Sequence, residues 1–126
     1  MAGKQQLKKS KVVKIDSQKS WEHHITDATI KGCPVMVHFS AYWCVPSIAM
    51  NPFFEELAST YQGVIFLKVD VDEVKEVASK FQIKAMPTFL LMSGGAPVDK
   101  TVGANSDEIR KKIDHFIHQT HSSKSI

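Results

Sequence analysis

Short apolar runs alternate with amphipathic stretches along most of this chain. Val12-Val13-Lys14-Ile15 is a β-branched run that predicts a first strand, and Asp16-Ser17 behind it supplies helix-start residues. Trp21, Ile25 and Ala28 then recur at helical spacing up to Gly32, a residue suited to ending a helix. Val35 to Ala41 is a compact, mostly apolar run bounded by Pro34 and reads as a buried central strand. It runs straight into Trp43-Cys44-Val45-Pro46, after which Ile48, Ala49, Phe53 and Leu57 predict a helix reaching Tyr61. Pro52 lies inside that helix and should kink it, because it has no N–H to donate and its ring crowds the preceding turn.

Gly63 closes that segment, and Val64 to Val69 reads as the next buried strand. Val74, Val77, Ala78 and Phe81 fall at i, i+3, i+4 and i+7, so 73–81 is expected as an amphipathic helix. Thr88 to Met92 and Pro97 to Val102 are strands in hairpin relation about Ser93-Gly94-Gly95. Asn105 followed by Glu108 resembles a capping box, and Ile109, Ile113, Phe116 and Ile117 form the apolar face of a last helix. The order β-α-β-α-β-α-β-β-α implies an α/β domain with parallel pairing and an antiparallel edge. The polar, Lys-rich residues 1–10 are expected as a disordered arm, 11–120 as one domain and 121–126 as a flexible tail.

Composition narrows the function classes. The chain has 126 residues, 43% of them hydrophobic and 23% charged, enough for one core without metal or disulfide staples. Its net charge of +3 comes from the arm: Lys4, Lys8, Lys9, Lys11 and Lys14 precede the first acidic residue, and 11 basic residues face 13 acidic ones without them. A nucleic-acid-binding domain would carry its basic patch on the folded surface, so nucleic acid is not an expected partner. No run approaches the ~20 apolar residues of a membrane helix, and the basic start is not followed by the apolar core of a secretory signal. Two cysteines, Cys33 and Cys44, are too few for a secreted disulfide scaffold, which makes the reducing cytoplasm the expected compartment.

The chemistry converges on Cys44. It follows a buried strand and opens a helix, where unpaired N–H groups favour the thiolate, the nucleophilic form. Pro46 suits the start of a helix, where its missing N–H is no loss, and Ser47, one turn on, is placed to donate its hydroxyl to the sulfur. His115, His118 and His121 are read as surface residues, and Asp70, Asp72 and Glu73 lack the fuller pattern of a metal loop, so no metal is expected.

His38 to Ser47, Phe66 to Glu73, Ala85-Met86-Pro87-Thr88-Phe89 and Val102-Gly103-Ala104 together resemble the thioredoxin family, over about Val12 to Gln119. The likeness is to plant h-type members and especially to their single-cysteine CxxS branch. It implies a thioredoxin fold, a central mixed five-stranded sheet flanked by four helices. It also implies a cis bond before Pro87 opposite the sulfur, and a client groove formed by Trp43, Val45, Ala85, Met86, Gly103 and Ala104, with the backbone beside Pro87 pairing to an extended client.

Three positions depart from the ordinary family pattern: Ser47 replaces the second, resolving cysteine, His38 the buried aspartate beneath it, and Ile48 the basic residue that follows. A hydroxyl cannot resolve a mixed disulfide, and Cys33 lies before the central strand while Cys44 lies beyond its other end. The expected activity is therefore monothiol exchange on protein disulfides, isomerase-like with weak or no dithiol reduction. The mixed disulfide is resolved by a substrate thiol or by glutathione, with glutathione or a glutaredoxin as further partners. No cofactor and a monomeric state are expected. His38 is either neutral filler or a proton shuttle near Cys44. The alternative to exchange is a redox-inactive module that binds clients or acts as a chaperone through the same groove.

Overall fold

The computed structural model describes the backbone of residues 10–125 and the side chains of 10–119, so the expectation for residues 1–9 lies outside it. Five strands, β1 (Val12–Ile15), β2 (Val35–Ser40), β3 (Ile65–Asp70), β4 (Thr88–Ser93) and β5 (Ala96–Val102), form one sheet in the order β1-β3-β2-β4-β5. β1 and β2 pair parallel to β3, while β4 runs antiparallel to β2 and β5. The sheet is mixed, as the resemblance implies.

Alternation along β2 builds the two sides of the core. Val35, Val37 and Phe39 face α1 (Gln18–Lys31) and α4 (Lys75–Lys80), where they meet Trp21, Ala28 and Val77. Met36 faces the opposite side, against Phe54 and Leu57 of α3 (Asn51–Thr60) and Ile109 and Ile113 of α5 (Ser106–Ser125). With period-2 side chains and both faces covered by helices, every residue of β2 is buried. This strand carries the chain through the middle of the molecule and delivers Cys44 just beyond its carboxyl end.

Local chemistry sets the element boundaries. The Ser17 side chain accepts the Ser20 N–H at 3.0 Å to start α1. Gly32, at φ +72, ends it by donating to the carbonyls of the last turn. Gly94 and Gly95 both take positive φ, as a two-residue hairpin loop between Ser93 and Ala96 requires. The Asn105 side-chain oxygen accepts the Glu108 N–H at 3.1 Å and its side-chain amide donates to the Glu108 carboxylate at 3.3 Å, a side-chain version of the expected box at the head of α5.

Two differences from the sequence pattern have physical causes. The helix expected to kink at Pro52 is broken at Met50 into α2 (Val45–Ala49) and α3. Pro52 cannot donate to the carbonyl one turn earlier, so the interruption falls just upstream of it. Counted as one broken helix, α2 and α3 make up the expected set of four. At the carboxyl end, α5 continues as helical backbone through Ser125, beyond the start of the expected tail at 121, since no Gly or Pro intervenes to stop it.

Candidate functional site

Cys44 is the N-cap residue of α2 and is half-buried. Its N–H donates to the Ala41 carbonyl at 3.0 Å, and its own carbonyl accepts from Ile48 at 3.1 Å, which pins the turn between β2 and α2. Pro46 occupies the first turn of α2, as expected. The thiol donates to the Met86 carbonyl oxygen at 3.5 Å. The Met86–Pro87 bond is cis. Gly103, at φ +104, donates its N–H to the Pro87 carbonyl at 2.8 Å, tying the end of β5 to the same loop. The chain thus brings Cys44, Met86, Pro87 and Gly103 together from three separate segments. Ala85 and Ala104 are exposed on the loops to either side.

The surface around the sulfur is apolar. Tyr42 is 74% exposed, Trp43 57%, Val45 73% and Ile48 45%, and Val102 before Gly103 is also exposed. Single exposed apolar residues are ordinary, but four of them between Tyr42 and Ile48 make the segment flanking Cys44 a candidate contact surface. The Trp43 indole N–H donates to the Asp72 carboxylate at 2.7 Å, which fixes the ring's edge. Asp72 was absent from the expected site residues; nothing in the local sequence pairs it with a tryptophan 29 positions away. It is held in turn because Asp70 accepts the Asp72 and Glu73 N–H groups at 2.8 and 3.2 Å, so the acidic 70–73 segment caps its own loop. Among the described residues, no group of three or more His, Cys, Asp or Glu is placed to hold a metal.

Ser47 departs from what its position suggests, while His38 follows one of its two readings. Ser47 is fully buried, and its hydroxyl has no hydrogen-bond partner among the described residues, so the expected donation to the Cys44 sulfur is not made. His38 is also fully buried, stacked on Phe89 at 4.5 Å between ring centroids and edge-on to Phe54 at 5.3 Å. Neither ring nitrogen has a partner among the described residues. Burial, helped by the nearby Lys68 ammonium, pushes its pKa down from 6.5 to about 3, so the ring is neutral at physiological pH. The aromatic slot matches the filler reading of His38, and among the described residues no hydrogen bond leads from the imidazole toward Cys44.

Comparison with known proteins agrees with this geometry. The thioredoxin family model matches residues 4–115. Thioredoxin-like protein CXXS1 of Arabidopsis thaliana is 54% identical over 111 residues, covering 88% of this chain and 94% of the relative. Its namesake in Oryza sativa subsp. japonica is 50% identical over 105 residues, covering 83% and 79%. The crystal structure of a poplar wild-type thioredoxin h superposes with a TM-score of 0.82 at 37% identity, covering 85% of this chain and 96% of that one. Fold, family match and close relatives agree: the chain belongs to the thioredoxin family of thiol–disulfide oxidoreductases.

Proposed function

We propose that this protein is a monothiol exchange protein that acts on protein disulfides through Cys44. The Cys44 sulfur attacks one sulfur of a client disulfide. The client S–S bond breaks, a Cys44–client disulfide forms, and the second client sulfur leaves as a thiolate. A client thiolate that attacks the mixed disulfide re-forms a client disulfide in a new pairing and frees Cys44, with no net redox change. Two glutathione thiols acting in succession would instead yield reduced client and glutathione disulfide. In the first form the protein is isomerase-like; in neither is a cofactor needed, and dithiol reduction is weak or absent.

One observation carries this reading: the chain offers no second sulfur to Cys44. Ser47 stands where a resolving thiol would be, and Cys33 precedes β2 while Cys44 follows it. A six-residue strand alone spans about 20 Å, against the ~7 Å limit for a disulfide between α-carbons. The Cys44-Val45-Pro46-Ser47 sequence matches the CXXS in the relatives' names. We place the protein in the cytoplasm as a monomer, with protein thiols, glutathione or a glutaredoxin as exchange partners.

Reactivation of scrambled ribonuclease without a reductase chain tests the proposal. The wild type should restore activity and Cys44→Ser should not; equal recovery with both would refute it. The exposed Tyr42-Trp43-Val45-Ile48 surface could also hold a client without chemistry. On that redox-inactive reading, client affinity would be unchanged by Cys44→Ser and the ribonuclease assay would show no recovery.

A further inference from the structure

A groove of about 580 Å³ lies between α4 and the loop leading to Pro87. Val71, Ile83 and Met86 give it apolar walls, its charged lining residues are Lys75 and Lys84, and no acidic residue lines it. Both lysines are exposed, and neither is in an ion pair among the described residues. The nearby carboxylates of the 70–73 segment are engaged elsewhere: Glu73 with Lys14 at 3.4 Å, Asp72 with Trp43, and Asp70 with its own loop. Glu76, on α4 beside Lys75, is not among the lining residues.

The groove is linked to the reacting sulfur through Met86. Met86 is one of its walls, and the Met86 carbonyl oxygen is 3.5 Å from the Cys44 sulfur. A client chain joined to Cys44 that runs past Met86 would meet the two ammonium groups. We infer that this groove is a specificity subsite for clients with an aspartate or glutamate near the reacting cysteine in sequence. The occupant is a protein segment, and Lys75 and Lys84 select it by charge. The inference rests on the exchange chemistry proposed above.

The test uses three peptides, each with one cysteine activated as a 2-pyridyl disulfide and flanked on both sides by Asp, Asn or Lys. Release of the pyridine thione follows the second-order rate of mixed-disulfide formation. At low salt the wild type should favour the Asp peptide over the Lys peptide by about three- to tenfold, the scale of a few exposed charge pairs. The ratio should shrink toward one in half-molar salt. The Lys75→Glu/Lys84→Glu double variant should reverse the order while keeping the wild-type rate with uncharged 2-hydroxyethyl disulfide. Equal wild-type rates for the three peptides, or an Asp preference that survives the double variant, would overturn the subsite. Failure of the wild type to react with the uncharged disulfide would overturn the exchange chemistry itself.

Discussion

Acid should destabilise this fold through His38. The ring has no exposed surface and no hydrogen-bond partner among the described residues, and burial, with the Lys68 charge, pushes its pKa down to about 3. In the unfolded chain an imidazole titrates near 6.5. Below that pH the unfolded chain takes up a proton that the folded chain refuses. The contribution of His38 is therefore fully present above about pH 6.5, falls as pH drops, and levels off near pH 3. The slope is about 1.4 kcal/mol per pH unit, so roughly 2–3 kcal/mol is lost between pH 6.5 and 4.5. That is a substantial share of the ~5–15 kcal/mol that holds a typical domain folded. His38→Leu isolates the effect, because leucine fills a similar volume and does not titrate. Urea unfolding of both proteins at pH 7.5, 6.5, 5.5 and 4.5 gives the difference directly, with the carboxylates common to both cancelling. At pH 7.5 the variant should be as stable as the wild type or more so, since it removes two unpartnered ring nitrogens. Toward pH 4.5 the wild type should fall behind by a further 2–3 kcal/mol, roughly. A difference that stays constant with pH would refute the reasoning, since it would require an imidazole that titrates alike in the folded and unfolded chains.

Two further substitutions probe the scaffold and the contact surface. Phe54 is 1% exposed and meets His38, Phe66 and Phe89, so Phe54→Ala should cost about 3–5 kcal/mol in denaturant unfolding; a loss below about 1 kcal/mol would mean that the core closes over the gap. Asp72→Asn weakens the acceptor that fixes the Trp43 indole, so tryptophan emission should change and mixed-disulfide formation with peptides should slow several-fold; the rate with a small disulfide should stay within about twofold, because global stability changes by no more than about 1 kcal/mol at this exposed pair.

Much of this architecture was legible in the sequence because it is encoded locally. The apolar run before Cys44, the Gly-Gly turn, the Asn105–Glu108 box and the Gly32 stop each depend on neighbouring residues, and each is found where the pattern placed it. Pro52 was correctly read as a disturbance, although the break falls at Met50 because the missing donor is felt one turn earlier. At the carboxyl end the helix runs on to Ser125, because polar composition alone does not end a helix. Long-range relations were the harder part. The position of His38 inside a buried strand was readable, but not the slot that seals it, whose walls Phe54 and Phe89 come from α3 and β4. The Trp43–Asp72 bond and the unpartnered Ser47 hydroxyl likewise depend on how distant segments close on one another. The site's centre is readable because Cys44, Pro46 and Ser47 lie within four consecutive positions. Met86, Pro87 and Gly103 were assigned to it through the family resemblance.

Intact-mass measurement of the trapped intermediate tests the central claim most directly. The wild type is incubated with a peptide carrying one activated disulfide and no second cysteine, and mass is followed before and after glutathione is added. The account predicts the mass of one peptide added at Cys44, stable until glutathione arrives and then lost. An adduct that disappears before any outside thiol is added, or a Cys33–Cys44 disulfide in its place, would contradict it.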